Sequence, residues 1–480
     1  MSTKSNYNKE VLLQAQTRRA TVEFINIVND LWYDKSIELV LFRNPLVDKR
    51  ASEVLNLIQY AKEFVGKPIS IIDALDIAKA IQQIDLPSSK LDIGKLAYEC
   101  YLSSENREDK VVFVKKKLKG ATVVKDIQPK DVVLYGFGRI GRLLARELMI
   151  KMGKGSQLRL RAIVTRGEIN QTVLEKRASL LSIDSVHGDF LGTVIVDIEN
   201  NALIINGTTV HMISANNPED IDYTKHGIND ALIIDNTGAF RDKEALTRHL
   251  KSKGSSKVLI TAPAKGVPNI VHGVNHKQND SDKVDIFSAA SCTTNAITPI
   301  LKVLEDNYGI KKGHLETIHA YTNDQNLVDN MHSKYRRGRA AALNMVITET
   351  GAGAAVAKAI PALEGKLTSN AIRVPVPNGS LAILNLQLRT KVTKEQVNSL
   401  IKKYALEGDL VEQIKYSLDN ELVSSDIVGV TAPSIFDSKA TITDNDTIVI
   451  YVWYDNEYGY SHQVIRLAKH IAKVRRFTYY

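Results

Sequence analysis

The sequence predicts an α/β protein of several domains, in which an all-α extension precedes a strand–helix–strand region and an α+β region with a mixed sheet. Three observations carry this reading. Apolar residues recur at helical spacing through about the first 120 positions, short apolar runs alternate with helices from Asp131 onward, and strand-like segments dominate after Cys292. At 480 residues the chain exceeds what one hydrophobic core organises, so two or three domains are expected.

In the extension, Val54, Leu55, Leu57, Ile58 and Ala61 form one apolar stripe, and Ile72, Leu75, Ile77, Ala78 and Ile81 form another. Pro68 suits the first turn of that second helix. Ser88 and Ser89 are candidate caps for a helix carrying Ile93, Leu96 and Ala97. No ligand constellation is visible there, so a small helical bundle docking on the rest of the chain or on a neighbouring subunit is expected. Residues 115–130 read as the join.

Residues 132–135 form a buried strand, a glycine loop follows, residues 143–149 begin a helix, and residues 160–164 form the next strand. Gly136, Gly138 and Gly141 make G-x-G-x-x-G between strand and helix, where glycines permit a tight turn and a helix N-terminus can hold a pyrophosphate. This is the opening unit of a Rossmann-type dinucleotide-binding domain. Further strands are expected at 232–234 and 258–260. A helix runs on from Thr293, with Ile297, Ile300, Leu301 and Leu304 on one face and Gly309 as its stop. Strands follow at 314–319, 380–388 and 447–453, then a last helix at about 462–473. The boundaries drawn are an extension and linker at 1–128, the dinucleotide-binding domain at 129–291, the catalytic domain at 292–457 and a C-terminal helix at 458–480.

Apolar content of 44% and charged content of 24% exclude wholesale disorder. The net charge of +9 is spread along the chain with no strongly basic arm, which argues against a nucleic-acid partner and suits anionic ligands. The run Lys115-Lys116-Lys117-Leu118-Lys119 reads as a solvated linker. A polar start and the lack of a long uncharged apolar run argue against a leader or membrane span, so a cytoplasmic address is expected. With only Cys100 and Cys292 there is no disulfide framework, and a reducing compartment keeps a thiol usable. No His/Cys/Asp/Glu grouping has metal-ligand spacing, so no metal is expected.

Cys292 stands at the start of its helix, where unpaired N–H groups and the helix dipole favour thiolate, the reactive form. A buried structural cysteine is the plain alternative. His319 follows 27 residues later at the end of a strand, in reach of a base role if the fold brings it back.

Three segments in order then carry a resemblance. Tyr135-Gly136-Phe137-Gly138-Arg139-Ile140-Gly141-Arg142, Ser291-Cys292-Thr293-Thr294-Asn295 and Trp453-Tyr454-Asp455-Asn456-Glu457-Tyr458-Gly459-Tyr460-Ser461 resemble the phosphate loop, active-site signature and closing segment of the phosphorylating glyceraldehyde-3-phosphate dehydrogenases. Thr317-Ile318-His319-Ala320-Tyr321-Thr322 resembles the context of that family's catalytic histidine. The likeness runs from about Val132 to the C-terminus and leaves the extension outside.

The resemblance implies reversible oxidation of glyceraldehyde 3-phosphate to 1,3-bisphosphoglycerate, glycolytic or gluconeogenic, with Cys292 as nucleophile and His319 as base. It implies Arg139 and Ile140 as main-chain cofactor contacts, Thr237, Gly238 and Thr261 near the adenosine and ribose, and Asn456 at the nicotinamide carboxamide. It implies Thr322, Asp324 and Arg373 on the substrate-phosphate side, and Ser291, Thr293, Arg337, Thr350 and Gly351 on the inorganic-phosphate side. A homotetramer is implied too, with residues 323–339 near subunit contacts, and it is by family resemblance alone that the C-terminal helix at 458–480 would return to the cofactor domain. One departure concerns the cofactor: the acid that normally holds the adenosine ribose of NAD is replaced by Thr165 and Arg166, which favours NADP, alone or beside NAD. Glu168 taking over the acid's task is the plain alternative, and Asn216 is a second departure, standing where the family usually has arginine. The alternatives in function are erythrose-4-phosphate dehydrogenase, which shares the architecture, and a regulatory or RNA-binding protein that works through the extension.

Overall fold

The computed structural model describes residues 3–103, 109–121, 127–151 and 157–480. The chain divides into two compact units, one built on Met1–Pro129 with Val474–Tyr480 and the other on Lys130–Lys151 with Leu158–Lys473. The join expected at 115–130 falls in part on residues 122–126, outside the described residues.

The first unit is mostly helical. Its opening helix, Thr3–Lys35, packs only through its second half, where Ala20, Phe24, Ile27, Val28 and Leu31 recur at three- and four-residue spacing and are buried. Tyr7, Val11, Leu12 and Leu13 in the first half are exposed. Helices Ala51–Tyr60, Ile71–Gln82, Ile93–Ser103 and Lys110–Lys117 follow. Ser70, not Pro68, sets the start of the third of these five helices: its hydroxyl accepts from Asp73 N–H, and the Asp73 carboxylate accepts from Ser70 N–H at 2.8 Å. Ser88 and Ser89 are not caps either. Ser89 opens a strand, Ser89–Asp92, and the buried Asp92 carboxylate accepts from Lys95 N–H at 3.1 Å to begin the next helix.

That strand belongs to a four-stranded sheet that helical periodicity did not indicate, in the order Asn44–Pro45, Ile37–Leu41, Ser89–Asp92, Phe477–Tyr479. Ile37–Leu41 is buried throughout, and so short an apolar run carries no period that separates strand from helix. The fourth strand comes from the C-terminus and lies parallel to Ser89–Asp92. Segment 458–480 therefore divides. Tyr458–Ile471 is a helix that packs on the helix Arg139–Ile150, while Val474–Tyr480 belongs to the first unit. There Arg476 stacks on the Trp32 ring at 4.7 Å, and the Tyr479 hydroxyl donates to Glu99 at 2.6 Å.

The second unit holds two eight-stranded sheets. In the first, Ile286–Ser288, Ser255–Ile260, Ala231–Asp235, Lys130–Tyr135, Leu158–Thr165 and Thr208–Ser214 run parallel, and Ala202–Ile205 and Val194–Asp197 extend it antiparallel. Val132, Val133, Leu134 and Tyr135 are buried in its centre, as strands covered on both faces require. The second sheet is mixed: Ile310–Ala320 lies parallel to Leu367–Val374 on one side and antiparallel to Ser380–Leu388 on the other.

Deleting residues 477–480 turns Ser89–Asp92 into an open edge. The first unit is expected to lose about 1–3 kcal/mol through lost ladder bonds and packing. Amides of residues 89–92 then exchange faster by hydrogen–deuterium mass spectrometry, whereas those of 132–135 do not.

Candidate active site

Two consecutive elements deliver the reactive pair. Cys292 is the first residue of the helix Cys292–Tyr308, whose N-cap, Ser291, accepts from Thr294 N–H at 3.1 Å. Immediately before it Ala290 is held at φ 54°, a left-handed conformation unusual for a residue with a side chain. His319 lies near the end of the strand Ile310–Ala320. The Cys292 sulfur and His319 Nε2 are 3.5 Å apart. Residue Cys292 is half-buried and His319 buried, so the thiol faces an imidazole and is not enclosed by apolar packing alone.

Burial pushes the Cys292 thiol up, against the pull of the Arg373 charge and of Thr293 donors. Burial, then Arg373, lowers the His319 imidazolium to about 3. Burial thus opposes the helix terminus, acting against thiolate and imidazolium alike when each stands alone. A proton passed from sulfur to Nε2 instead leaves thiolate and imidazolium in contact, each offsetting the other's desolvation. The geometry also limits the tautomer. His319 Nδ1 is 2.7 Å from Ala320 O and 2.5 Å from Arg373 Nη1, and Arg373 Nη1 reaches Ala320 O at 2.9 Å. Nδ1 can donate to the carbonyl or accept from the guanidinium, and only the first leaves Nε2 free to take the thiol proton.

Tyr454 was not singled out in the sequence, although it stands inside a motif that was. Its hydroxyl meets Thr293 Oγ1 at 3.0 Å and Thr317 Oγ1 at 2.7 Å, and its ring lies edge-on to His319 at 5.8 Å. It ties the helix to the strand. The Thr293 hydroxyl is thus engaged with Tyr454, and the Ser291 hydroxyl with Thr294 Oγ1 at 2.7 Å.

Of the anion-site residues, Arg373 is in contact with His319. Arg337 and Asp324 form an ion pair with each other, and Arg337 Nε donates to Thr348 Oγ1 at 3.0 Å. Thr322 is half-buried and its carbonyl accepts from Gln325 N–H at 3.0 Å. Gly351 is the N-cap of the helix Ala352–Ala359, with open space where a Cβ would stand, and Thr350 Oγ1 accepts from Ala352 N–H at 3.3 Å.

At the glycine loop, Gly136 has φ +98° and Gly138 is the N-cap of the helix Arg139–Ile150, with nothing within 4 Å of a would-be Cβ. A Cβ on Gly141 would meet Gly136 O at 2.4 Å, so this glycine serves helix–strand packing. The Arg139 side chain is bound to Asp184 and Glu457, leaving only its backbone for a ligand, as does the backbone of Ile140 in the same turn. A cavity of about 390 Å³ opens beside the loop, lined among others by Gly136, Gly138, Thr165, Arg166 and Thr237. Arg142 and Arg177 also line it; neither was assigned from the sequence. The Thr165 hydroxyl is buried without a partner. Open backbone over Gly138 and an unsatisfied hydroxyl at the second strand end fit the adenosine half of a dinucleotide. Gly238, at φ +64°, and Thr261, whose hydroxyl donates to Asp235 O at 3.1 Å, are not among the residues lining this cavity. Asn456 is buried, its carboxamide oxygen accepting from Ser380 Oγ at 2.8 Å, which leaves the amide NH₂ as its donating edge. Among the described residues no cluster of three His, Cys, Asp or Glu could hold a metal, and no helix is long and apolar enough to cross a membrane.

A parallel sheet of the dinucleotide-binding kind and a thiol–imidazole contact stand together in the second unit. Residues 130–243 match the glyceraldehyde 3-phosphate dehydrogenase NAD binding domain, and residues 291–456 match the glyceraldehyde 3-phosphate dehydrogenase C-terminal domain. A Pseudomonas aeruginosa glyceraldehyde-3-phosphate dehydrogenase-like protein is 46% identical over 456 residues, 94% of this chain and 98% of its own length. Glyceraldehyde-3-phosphate dehydrogenase 2 of a Nostoc species is 42% identical and glyceraldehyde-3-phosphate dehydrogenase 1 of Bacillus subtilis 40% identical, each over 71% of this chain and 98% of its own length. The chain belongs to the glyceraldehyde-3-phosphate dehydrogenase family, and the Pseudomonas relative is similar across nearly the whole chain, the extension included.

If the pair ionises as a unit, His319→Gln leaves the sulfur with burial and no proton acceptor. Alkylation of Cys292 by iodoacetamide at pH 7 is then expected to slow about tenfold or more, its midpoint moving to higher pH. An unchanged pH profile in the variant would contradict the paired ionisation.

Proposed function

We propose that this protein catalyses the reversible, phosphorylating oxidation of glyceraldehyde 3-phosphate to 1,3-bisphosphoglycerate through a cysteine thioester. The single observation that carries this reading is the 3.5 Å contact between the Cys292 sulfur and His319 Nε2, with Arg373 at the same imidazole. Nε2 takes the thiol proton as sulfur adds to the aldehyde carbon, and returns it to the new oxyanion to give a thiohemiacetal. A bound nicotinamide dinucleotide supplies the hydride acceptor. As the carbon–hydrogen bond is lost, Nε2 takes the hydroxyl proton and a thioester forms on Cys292. Inorganic phosphate then attacks the thioester carbonyl, the carbon–sulfur bond breaks, and the thiolate is regenerated beside the imidazolium.

Two anion sites are required. Arg373 with Thr322 and Asp324 is assigned to the substrate phosphate, and Arg337 with Ser291, Thr293, Thr350 and Gly351 to inorganic phosphate. The ion pair of Arg337 with Asp324 means that an incoming phosphate competes with a carboxylate for that guanidinium. The engaged hydroxyls of Ser291 and Thr293 assign those two residues to the helix terminus around the phosphate more than to its side-chain ligation.

The cofactor read here is NADP, alone or beside NAD. Support comes from the cavity at the second strand end, which is lined by Arg166 and not by Glu168. The assembly proposed is a homotetramer: Leu327, Val328, Met331, Tyr335, Leu343 and Met345 form an exposed apolar stretch with no covering segment among the described residues. Two free cysteines suit a reducing cytoplasm.

Cys292→Ala is expected to lower phosphate-dependent cofactor reduction about 10⁴-fold or more. Full turnover in that variant would end the proposal. Comparing kcat/KM for glyceraldehyde 3-phosphate and erythrose 4-phosphate tests the substrate, and initial rates with NADP and NAD side by side test the cofactor; a strong preference for NAD would refute that part.

A further inference from the structure

We propose that Arg177 is the second arm of a two-arginine clamp that selects the 2′-phosphate of NADP, opposite Arg166. The inference rests on the reading that the cavity beside the glycine loop takes the adenosine half of the cofactor. Arg166 follows directly on the strand Leu158–Thr165, and Arg177 projects from the next helix, Gln171–Ser182; both line the cavity together with Arg142 and Thr165. No carboxylate lines it. Among the described residues neither Arg166 nor Arg177 makes an ion pair.

Three guanidiniums facing one cavity repel one another, and an arrangement of that kind is neutralised by an anion. The repulsion is visible at Arg142, held below its ordinary range by burial first and then by Arg139, with Arg146 and Arg177 adding to it and Asp184 opposing. The buried Arg142 Nε and the buried Thr165 hydroxyl also lack partners. A diol, the group that distinguishes NAD at this position, is normally held by a carboxylate, and none lines this cavity. A phosphate ester needs donors, and two arginine forks on separate elements approach it from two sides. Arg177 escaped the sequence reading because it stands twelve residues beyond the strand end, inside an ordinary amphipathic helix.

The test is calorimetric titration of the full-length protein with adenosine 2′,5′-bisphosphate and with 5′-AMP, which differ only in the 2′-phosphate. The wild type is expected to bind the bisphosphate more tightly. Arg177→Gln is expected to weaken bisphosphate binding about tenfold and leave 5′-AMP unchanged. Arg177→Lys, which keeps charge without the fork, is expected to fall between, and its intermediate value guards against a folding defect. If Arg166→Gln loses the preference and Arg177→Gln keeps it, the second arm is disproved and the NADP reading stands. Equal loss for both ligands in Arg177→Gln also disproves the clamp. A wild type that binds both ligands equally overturns the NADP reading, and the clamp with it.

Discussion

The contact between Cys292 and His319 depends on the reversal of the chain at Gly309. The helix Cys292–Tyr308 spans about 26 Å at its ordinary rise, and the strand from Ile310 to His319 runs back about 30 Å. A tight turn between two elements of matched length returns the end of the strand to the start of the helix. Gly309 makes that turn at φ +64°, and a Cβ there would stand 2.8 Å from the Arg389 side chain. Ala290 bears the corresponding strain on the other flank of the nucleophile, and Tyr454 pins helix to strand through Thr293 and Thr317. The reactive pair is therefore a property of backbone geometry before it is one of side-chain chemistry.

Burial and charge oppose each other throughout the catalytic part of the chain. Burial works against an isolated thiolate and an isolated imidazolium alike, which favours formation of the two charges together. Arg373 favours the thiolate and disfavours the imidazolium, and it competes for the nitrogen that must stay protonated for His319 to act as a base. A phosphate that drew Arg373 toward itself would relieve both conflicts. Arg337 is likewise held by Asp324, so each arginine proposed for an anion site has a protein partner that a ligand would have to replace.

The C-terminal strand makes the extension more than an appendage in sequence terms. The first unit's sheet is completed by Phe477–Tyr479, and the buried Arg476 packs on Trp32 of the opening helix. A chain lacking residues 1–128 would leave that strand without its neighbour, so a clean dissection removes residues 474–480 as well. The Pseudomonas relative is similar over 94% of the chain, against 71% for the Nostoc and Bacillus enzymes, so the likeness to the first reaches into the extension.

Much of the second unit was legible in the sequence, because its buried strands read as short apolar runs and its glycines stand where a turn and a helix start require them. Cys292, His319 and Gly138 were named from local motifs and Arg373 from the family resemblance, and the strand-like segments expected at 314–319, 380–388 and 447–453 fall within the observed strands Ile310–Ala320, Ser380–Leu388 and Thr447–Tyr454. The strand Ser89–Asp92 and the assignment of 474–480 were not legible, since each depends on a partner tens or hundreds of residues away, whereas the Ser70 cap is local, its partner Asp73 standing three residues on, and was overlooked in favour of Pro68. The sequence by itself determined the alternating elements of the second unit, the glycine loop and the place of Cys292 at a helix start, all set by local spacing. Tertiary structure alone decided the burial around the thiol, the two contacts at His319 Nδ1 and the convergence of Arg142, Arg166 and Arg177 on one cavity, because burial and charge proximity depend on neighbours that chain order does not reveal.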